Sequence, residues 1–136
     1  MRKIFVNLPV KDLDASKRFF GALGFAFNPG FTDHTAACMV VSDAIFVMLL
    51  TEARFRDFLT GDISDTAKGT EVLTCLSVES REAVDATRER ALAAGARPWK
   101  PNMDHGWMYG CSFQDLDGHV WEFVWMDEAA AAQAQH

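Results

Sequence analysis

The sequence is short of positive charge, of cysteine and of long apolar runs, and each shortage closes a class of function. Lys and Arg number 13 against 19 Asp and Glu, a formal charge of −6, which repels a phosphate backbone, so nucleic acid is not an expected partner. The three cysteines, Cys38, Cys75 and Cys111, stand far apart with no CxxC pair. Each is therefore expected as a reduced, packed thiol in an apolar strand, outside any disulfide or metal site. The longest apolar runs, such as 44–50, fall far short of the roughly 20 residues that cross a bilayer, and no membrane association is expected. No apolar signal core follows Met1, Arg2 and Lys3, and a cytoplasmic protein is expected. A glycine-rich phosphate loop, a GxSxG elbow and paired histidines at helical zinc spacing are missing too, which removes the chemistries those motifs carry.

What remains is 136 residues, 49% hydrophobic and 24% charged, the size and balance of one folded unit with its own core. Ile4, Val6, Leu8 and Val10 alternate with Phe5, Asn7 and Pro9 as a strand does. Asp12 or Asp14 then caps a helix carrying Phe19, Phe20 and Leu23 at helical spacing, and Gly24 stops it. Strands are expected at 25–28, 35–41 and 44–50, followed by a short helix at 51–59 and a polar connector that runs on to about residue 70. The same order then returns, with a strand at 72–78, a helix at 81–94 closed by Gly95, and strands at 97–100, 108–114 and 119–125. Two βαβββ modules follow from this, at about 3–50 and 71–126 of a single domain 1–127, leaving an Ala-rich tail at 128–136 as a frayed helix or disordered.

Three stretches carry a family resemblance: Val6 to Ser16 with Phe19-Phe20 and Leu23-Gly24-Phe25, then Gly95-Ala96, then Phe113 to Glu122 with its Asp-x-Asp-Gly-x-x-x-Glu pattern. Together they resemble the vicinal oxygen chelate superfamily of glyoxalases, bleomycin-resistance proteins and extradiol dioxygenases. The resemblance implies an α+β fold, two βαβββ modules forming a curved mixed sheet around a cleft, and a homodimer. In metal-dependent members the cleft ion takes one ligand from each of four strands, and those positions fall here on Phe5, Met48, Leu73 and Glu122. Only Glu122 carries a suitable donor, and slipping the strands by one residue brings in Ile4, Val6, Val47, Leu49, Val72 or Thr74, none of them a strong ligand. No cofactor is expected, and the usual divalent site is expected to be absent.

In the family register Phe5, Asn7, Phe46, Met48, Leu50, Leu73, Cys75, Val120, Glu122 and Val124 face the cleft, while Ile4, Val6, Leu8, Trp121, Phe123 and Trp125 face the helices. Such a lining suits a small apolar or cationic organic molecule, or simply fills a narrow space. Glu122 stands open to several roles: a general base, a partner for a ligand's positive charge, a residual metal contact, or a structural group bonded to Asn7 or Ser77. His105 lies in a Gly-flanked loop, expected at the cleft mouth, where Trp99, Trp107 and Tyr109 offer stacking surfaces. The alternative for that loop is a turn stabilised by Asp104 and His105, with Trp107 packed. His119 is read as a turn residue, and His34 and His136 carry no assignment. Ligand binding or sequestration is the leading expectation. A lyase or isomerase using Glu122 for proton transfer is the second, with or without a metal recruited through groups such as His105, and a scaffolding module is the third.

Overall fold

The computed structural model describes residues 1–134, so His136 lies outside the described residues. The chain divides into two compact units, residues 1–65 and a second from Thr66 onward. No helix among the described residues is long and apolar enough to cross a membrane.

The first unit runs β1 (Ile4–Val10), α1 (Leu13–Ala22), β2 (Ala26–Phe27), a 3-10 turn at Pro29–Phe31, β3 (Ala36–Val40), β4 (Ile45–Thr51) and α2 (Glu52–Arg56). The sheet order is β1-β4-β3-β2, with β1 and β4 parallel and the other pairs antiparallel. The Asp12 carboxylate accepts from the Ala15 amide at 3.0 Å and so starts α1. Gly24, at φ +102°, turns the chain back out of it. Phe19 and Phe20, edge to face at 4.9 Å, are buried with Met39, Val47 and Leu49.

The second unit runs β5 (Leu73–Ser77), α3 (Arg81–Ala93), β6 (Arg97–Pro98), β7 (Met103–Asp104), β8 (Met108–Gln114), β9 (Val120–Met126) and α4 (Glu128–Ala134). Its sheet order is β5-β9-β8-β6, β7 also pairs with β8, and β5 and β9 are parallel. The Ser80 hydroxyl accepts from the Ala83 amide at 3.0 Å at the head of α3. Phe113 and Phe123 stack at 5.7 Å in a core shared with Val84, Ala91 and Trp121.

The expected order of strands and helices is present, with three differences in detail. β2 and β6 shrink to two residues, since only two in each find partners on the neighbouring strand. β7 is too short to leave a periodic trace in the sequence, where its two residues read as loop. The helix expected at 51–59 spans only Glu52–Arg56: Thr51 finishes β4 and caps it, its Oγ1 accepting from the Arg54 amide at 3.2 Å, and past Arg56 the backbone bonds tighten to i+3 turns.

Candidate functional site

Alternation along β1 and β4 gives the first unit a packed face and an open one. Val47 and Leu49 are buried on the packed face. On the open face Phe5 pairs with Phe46, Asn7 with Met48 and Pro9 with Leu50. Phe5, half exposed, is stacked on Phe46 at 5.0 Å and 14° between ring planes, with the Lys3 ammonium 5.7 Å from the Phe46 ring centre. Asn7 donates only a long 3.4 Å bond to its neighbour's carbonyl at Phe5. The structure thus brings Phe5, Asn7, Phe46 and Met48 together on one face, as the family register implies. It adds two residues that the sequence reading missed, Phe55 on α2 and Phe58 in the turn after it, which with Asn7 and Leu50 bound a cavity of about 430 Å³. Their i, i+3 aromatic spacing beyond a capping Thr was the signal available.

In the second unit the open face carries Leu73, Cys75 and Ser77 from β5. Across β9 and β8 the rows read Cys75, Glu122, Ser112 and then Ser77, Val124, Gly110. Glu122 borders a cavity of about 40 Å³ with Lys100, Met103, Ser112 and Val124. The Ser112 hydroxyl accepts from the Lys100 amide at 3.1 Å. Within its own unit no hydrogen bond or ion pair reaches the Glu122 carboxylate among the described residues, so Ser77 does not hold it. Cys75 is exposed, which corrects the expectation that all three thiols are packed: it sits on the open face of an edge strand, whereas Cys38 and Cys111 are buried. Burial first, and the Glu122 carboxylate second, push the Cys75 thiol up.

The loop with His105 is tied to α3. Arg81 grips Asp104 with two bonds of 2.8 and 2.9 Å and donates to the Gly106 carbonyl at 2.9 Å. Its guanidinium lies 4.9 Å from the Tyr109 ring centre and 5.3 Å from that of Trp125. The Tyr109 hydroxyl donates to Asp85 of α3 at 2.6 Å and accepts from Asn102 at 3.1 Å. Tyr109, Cys111 and Phe113 alternate with Gly110 and Ser112 along β8. Tyr109 therefore lies on the face opposite Glu122, and the two are not brought together. His105 stacks on Trp107 at 6.3 Å, and the Trp107 carbonyl accepts from the Asp127 amide at 2.8 Å. Trp99, just beyond β6, is 38% exposed.

The Asp-x-Asp-Gly pattern is accounted for by the β8–β9 turn. Asp115 is buried and accepts from the Asp117 amide (2.9 Å), the His119 amide (3.0 Å) and the Trp121 indole (2.9 Å). Burial pushes its carboxyl up, and these bonds oppose that shift. Gly118 has φ +85°, and a Cβ there would stand 2.5 Å from the Thr66 hydroxyl oxygen, which itself donates to the Asp117 carbonyl at 2.6 Å. His119 is thus a turn residue as expected.

A divalent ion fits poorly at the positions the resemblance assigns. Phe5 is a stacked ring, Met48 offers a thioether, Leu73 a hydrocarbon, and Glu122 alone an anionic oxygen. Among the described residues no three His, Cys, Asp or Glu side chains come together as a metal-holding group.

Residues 2–42 match the family described as bleomycin resistance protein-like N-terminal. No curated protein matches the chain. Among solved structures, a hypothetical protein from S. aureus is 27% identical, covering 91% of this chain and 93% of its own, with a TM-score of 0.77. A glyoxalase/bleomycin resistance protein/dioxygenase family enzyme from Burkholderia phytofirmans PsJN is 19% identical over 90% of this chain and 96% of its own, with a TM-score of 0.74. The fosfomycin resistance protein FosX from Listeria monocytogenes, in complex with Mn(II) and sulfate, is 17% identical over 98% and 96%, at 0.71. These likenesses bear out the α+β fold, with two open mixed sheets, and support the vicinal oxygen chelate resemblance drawn from the sequence.

Proposed function

We propose, for a chain with the fold of the glyoxalase/bleomycin resistance superfamily and a bleomycin-resistance-like N-terminal stretch, that it binds a small organic molecule and uses no divalent ion at the family positions. The observation that carries this reading is the Glu122 carboxylate, which lies on the open face of β9 between Cys75 and Ser112 and makes no hydrogen bond or ion pair within its own unit among the described residues, although Lys100 borders the same small hollow. A carboxylate left without a partner on an open sheet face gains most from a cationic or hydrogen-bond-donating ligand. The proposal extends to a homodimer, supported by the apolar side chains left exposed on both edge strands β1 and β5.

Titration of proflavine, a planar aromatic cation, tests the reading. Binding is expected to be stoichiometric and unchanged by chelator, and Glu122→Gln weakens it by about tenfold or more, the scale of a lost charge-assisted bond. Equal affinity in the variant, or loss on chelation, sinks the proposal. The same free carboxylate is chemically able to move a proton. Turnover that follows pH and vanishes in Glu122→Gln would replace binding by catalysis.

A further inference from the structure

The residues of the connector that belong to the second unit begin at Thr66. From there to the start of β5 the backbone is irregular, and of residues 64–72 Thr66 alone is half-buried while the others are exposed. Its hydroxyl donates to the Asp117 carbonyl at 2.6 Å, a bond that joins the connector to the β8–β9 turn. We propose that residues 66–72 form a releasable strap, and that the Thr66 clasp sets the start of β5 and with it the place of Cys75 beside Glu122.

The seat for Thr66 is built by the turn itself. Asp115 draws the Asp117 and His119 amides and the Trp121 indole around one carboxylate, and the Gln114 side-chain amide donates to the Gly118 carbonyl at 3.2 Å. A Cβ at Gly118 would meet the Thr66 hydroxyl oxygen at 2.5 Å, the Thr66 Cβ at 3.1 Å and an Arg97 guanidinium nitrogen at 3.8 Å. Any side chain there evicts Thr66, so the missing Cβ makes the room for the clasp. β5 depends on such help. It is an edge strand of five residues bonded to β9 alone, and its first pair is Leu73 with Val120. Val72 is 57% and Leu73 54% exposed, so burial does little to hold that end, and strand ends of this kind fray first. Thr66 on Asp117 and Leu73 on Val120 close the two ends of one short loop. With the clasp made, docking the head of β5 closes only that loop, at a lower cost in entropy than docking it from an unclasped connector. Releasing the clasp frays β5 from its head toward Cys75, its middle residue, which pairs with Glu122. A ligand of Glu122 finds the row Cys75, Glu122, Ser112 complete only when β5 is docked, so ligand and clasp strengthen each other by the same factor. That last step rests on the binding role proposed above, whereas the clasp itself does not.

Limited trypsin digestion at Lys68, just past the clasp, tests this, with iodoacetamide labelling of Cys75 read on the same proteins. When opening is fast, cleavage follows the open population. Thr66→Val keeps the shape and deletes the bond, and is expected to be cut at Lys68 up to about tenfold faster, the scale of one lost hydrogen bond. Its Cys75 is expected to label severalfold faster. Thr66→Ser restores the hydroxyl and is expected to match the parent in both readouts, and Gly118→Ala to match Thr66→Val. Cleavage at Arg56, in the first unit, is expected to keep the parent rate, which separates release of the strap from general unfolding. Unchanged cleavage at Lys68 in Thr66→Val, equal acceleration at Arg56, or faster cleavage without faster labelling of Cys75 would overturn the inference. Should Gly118→Ala fail to fold, Thr66→Val against Thr66→Ser decides. Proflavine affinity is expected to fall severalfold in Thr66→Val, and an unchanged affinity overturns the link to the ligand site. Failure of proflavine to bind the parent refutes the binding role alone, because neither cleavage nor labelling uses it.

Discussion

The three thiols show how one residue type takes its behaviour from place. Burial pushes Cys111 up to about 11 and also raises Cys38, whereas Cys75, exposed to solvent yet partly desolvated, is raised first by that desolvation and then by Glu122. Only thiolates attack alkylating reagents, so iodoacetamide at pH 8 is expected to modify Cys75 first and leave Cys38 and Cys111 intact in the folded protein. Glu122→Gln removes one of the two causes raising the Cys75 thiol and is expected to speed its labelling severalfold, measured by peptide mass. Labelling of Cys111 first, or no acceleration, would contradict the placement of Cys75 beside Glu122. Alternation in β1, β5 and β9, set by the family register, made Phe5, Asn7, Cys75 and Glu122 legible as open-face residues, because a period of two needs only the strand's register. Tyr109 falls in the expected strand at 108–114, and its face follows only from the pairing of β8 with β9, which puts Ser112 and not Tyr109 beside Glu122. Phe55 and Phe58 escaped notice because strand alternation says nothing about what a following helix folds over.

At the scale of elements, the Arg81–Asp104 clamp joins α3 to the turn holding His105. The Arg81 side chain first, and the Gly106 amide next, hold the Asp104 carboxyl well below its ordinary value of 3.8. A lowered carboxyl in the folded state stabilises above its unfolded value and loses that contribution as pH falls through the folded one. The turn is therefore expected to stay docked at neutral pH and to loosen only in strong acid, well below pH 3.8. Amide exchange at residues 105–108 reads this out. In Asp104→Asn the same amides are expected to exchange faster already at pH 7, and identical exchange in the variant would mean that the clamp does not hold the turn. The Asp115 turn was legible as a motif but not as a structure: the pattern named its residues, while the bond to the Trp121 indole depends on a side chain that the pattern leaves unspecified.

For the whole molecule, the repeated βαβββ order was visible at half-chain spacing, and the two units of the structure carry it. Each unit leaves an apolar edge strand, with Ile4 53% and Leu73 54% exposed. Exposed edges of this kind invite pairing, and sedimentation equilibrium at micromolar concentration is expected to give twice the 15.1 kDa chain mass. A monomer throughout would remove the assembly part of the proposal. The parallel pairing of β1 with β4, and of β5 with β9, also dictates a timetable during synthesis. As the chain leaves the ribosome, β1 emerges with no hydrogen-bonding partner, and α1 and β2 and β3 follow before β4 can close the sheet beside it. Local hairpins therefore assemble first and each unit's leading strand docks last, so a pause in translation ahead of residue 45 leaves Ile4 and Phe5 open to chaperones for its whole duration.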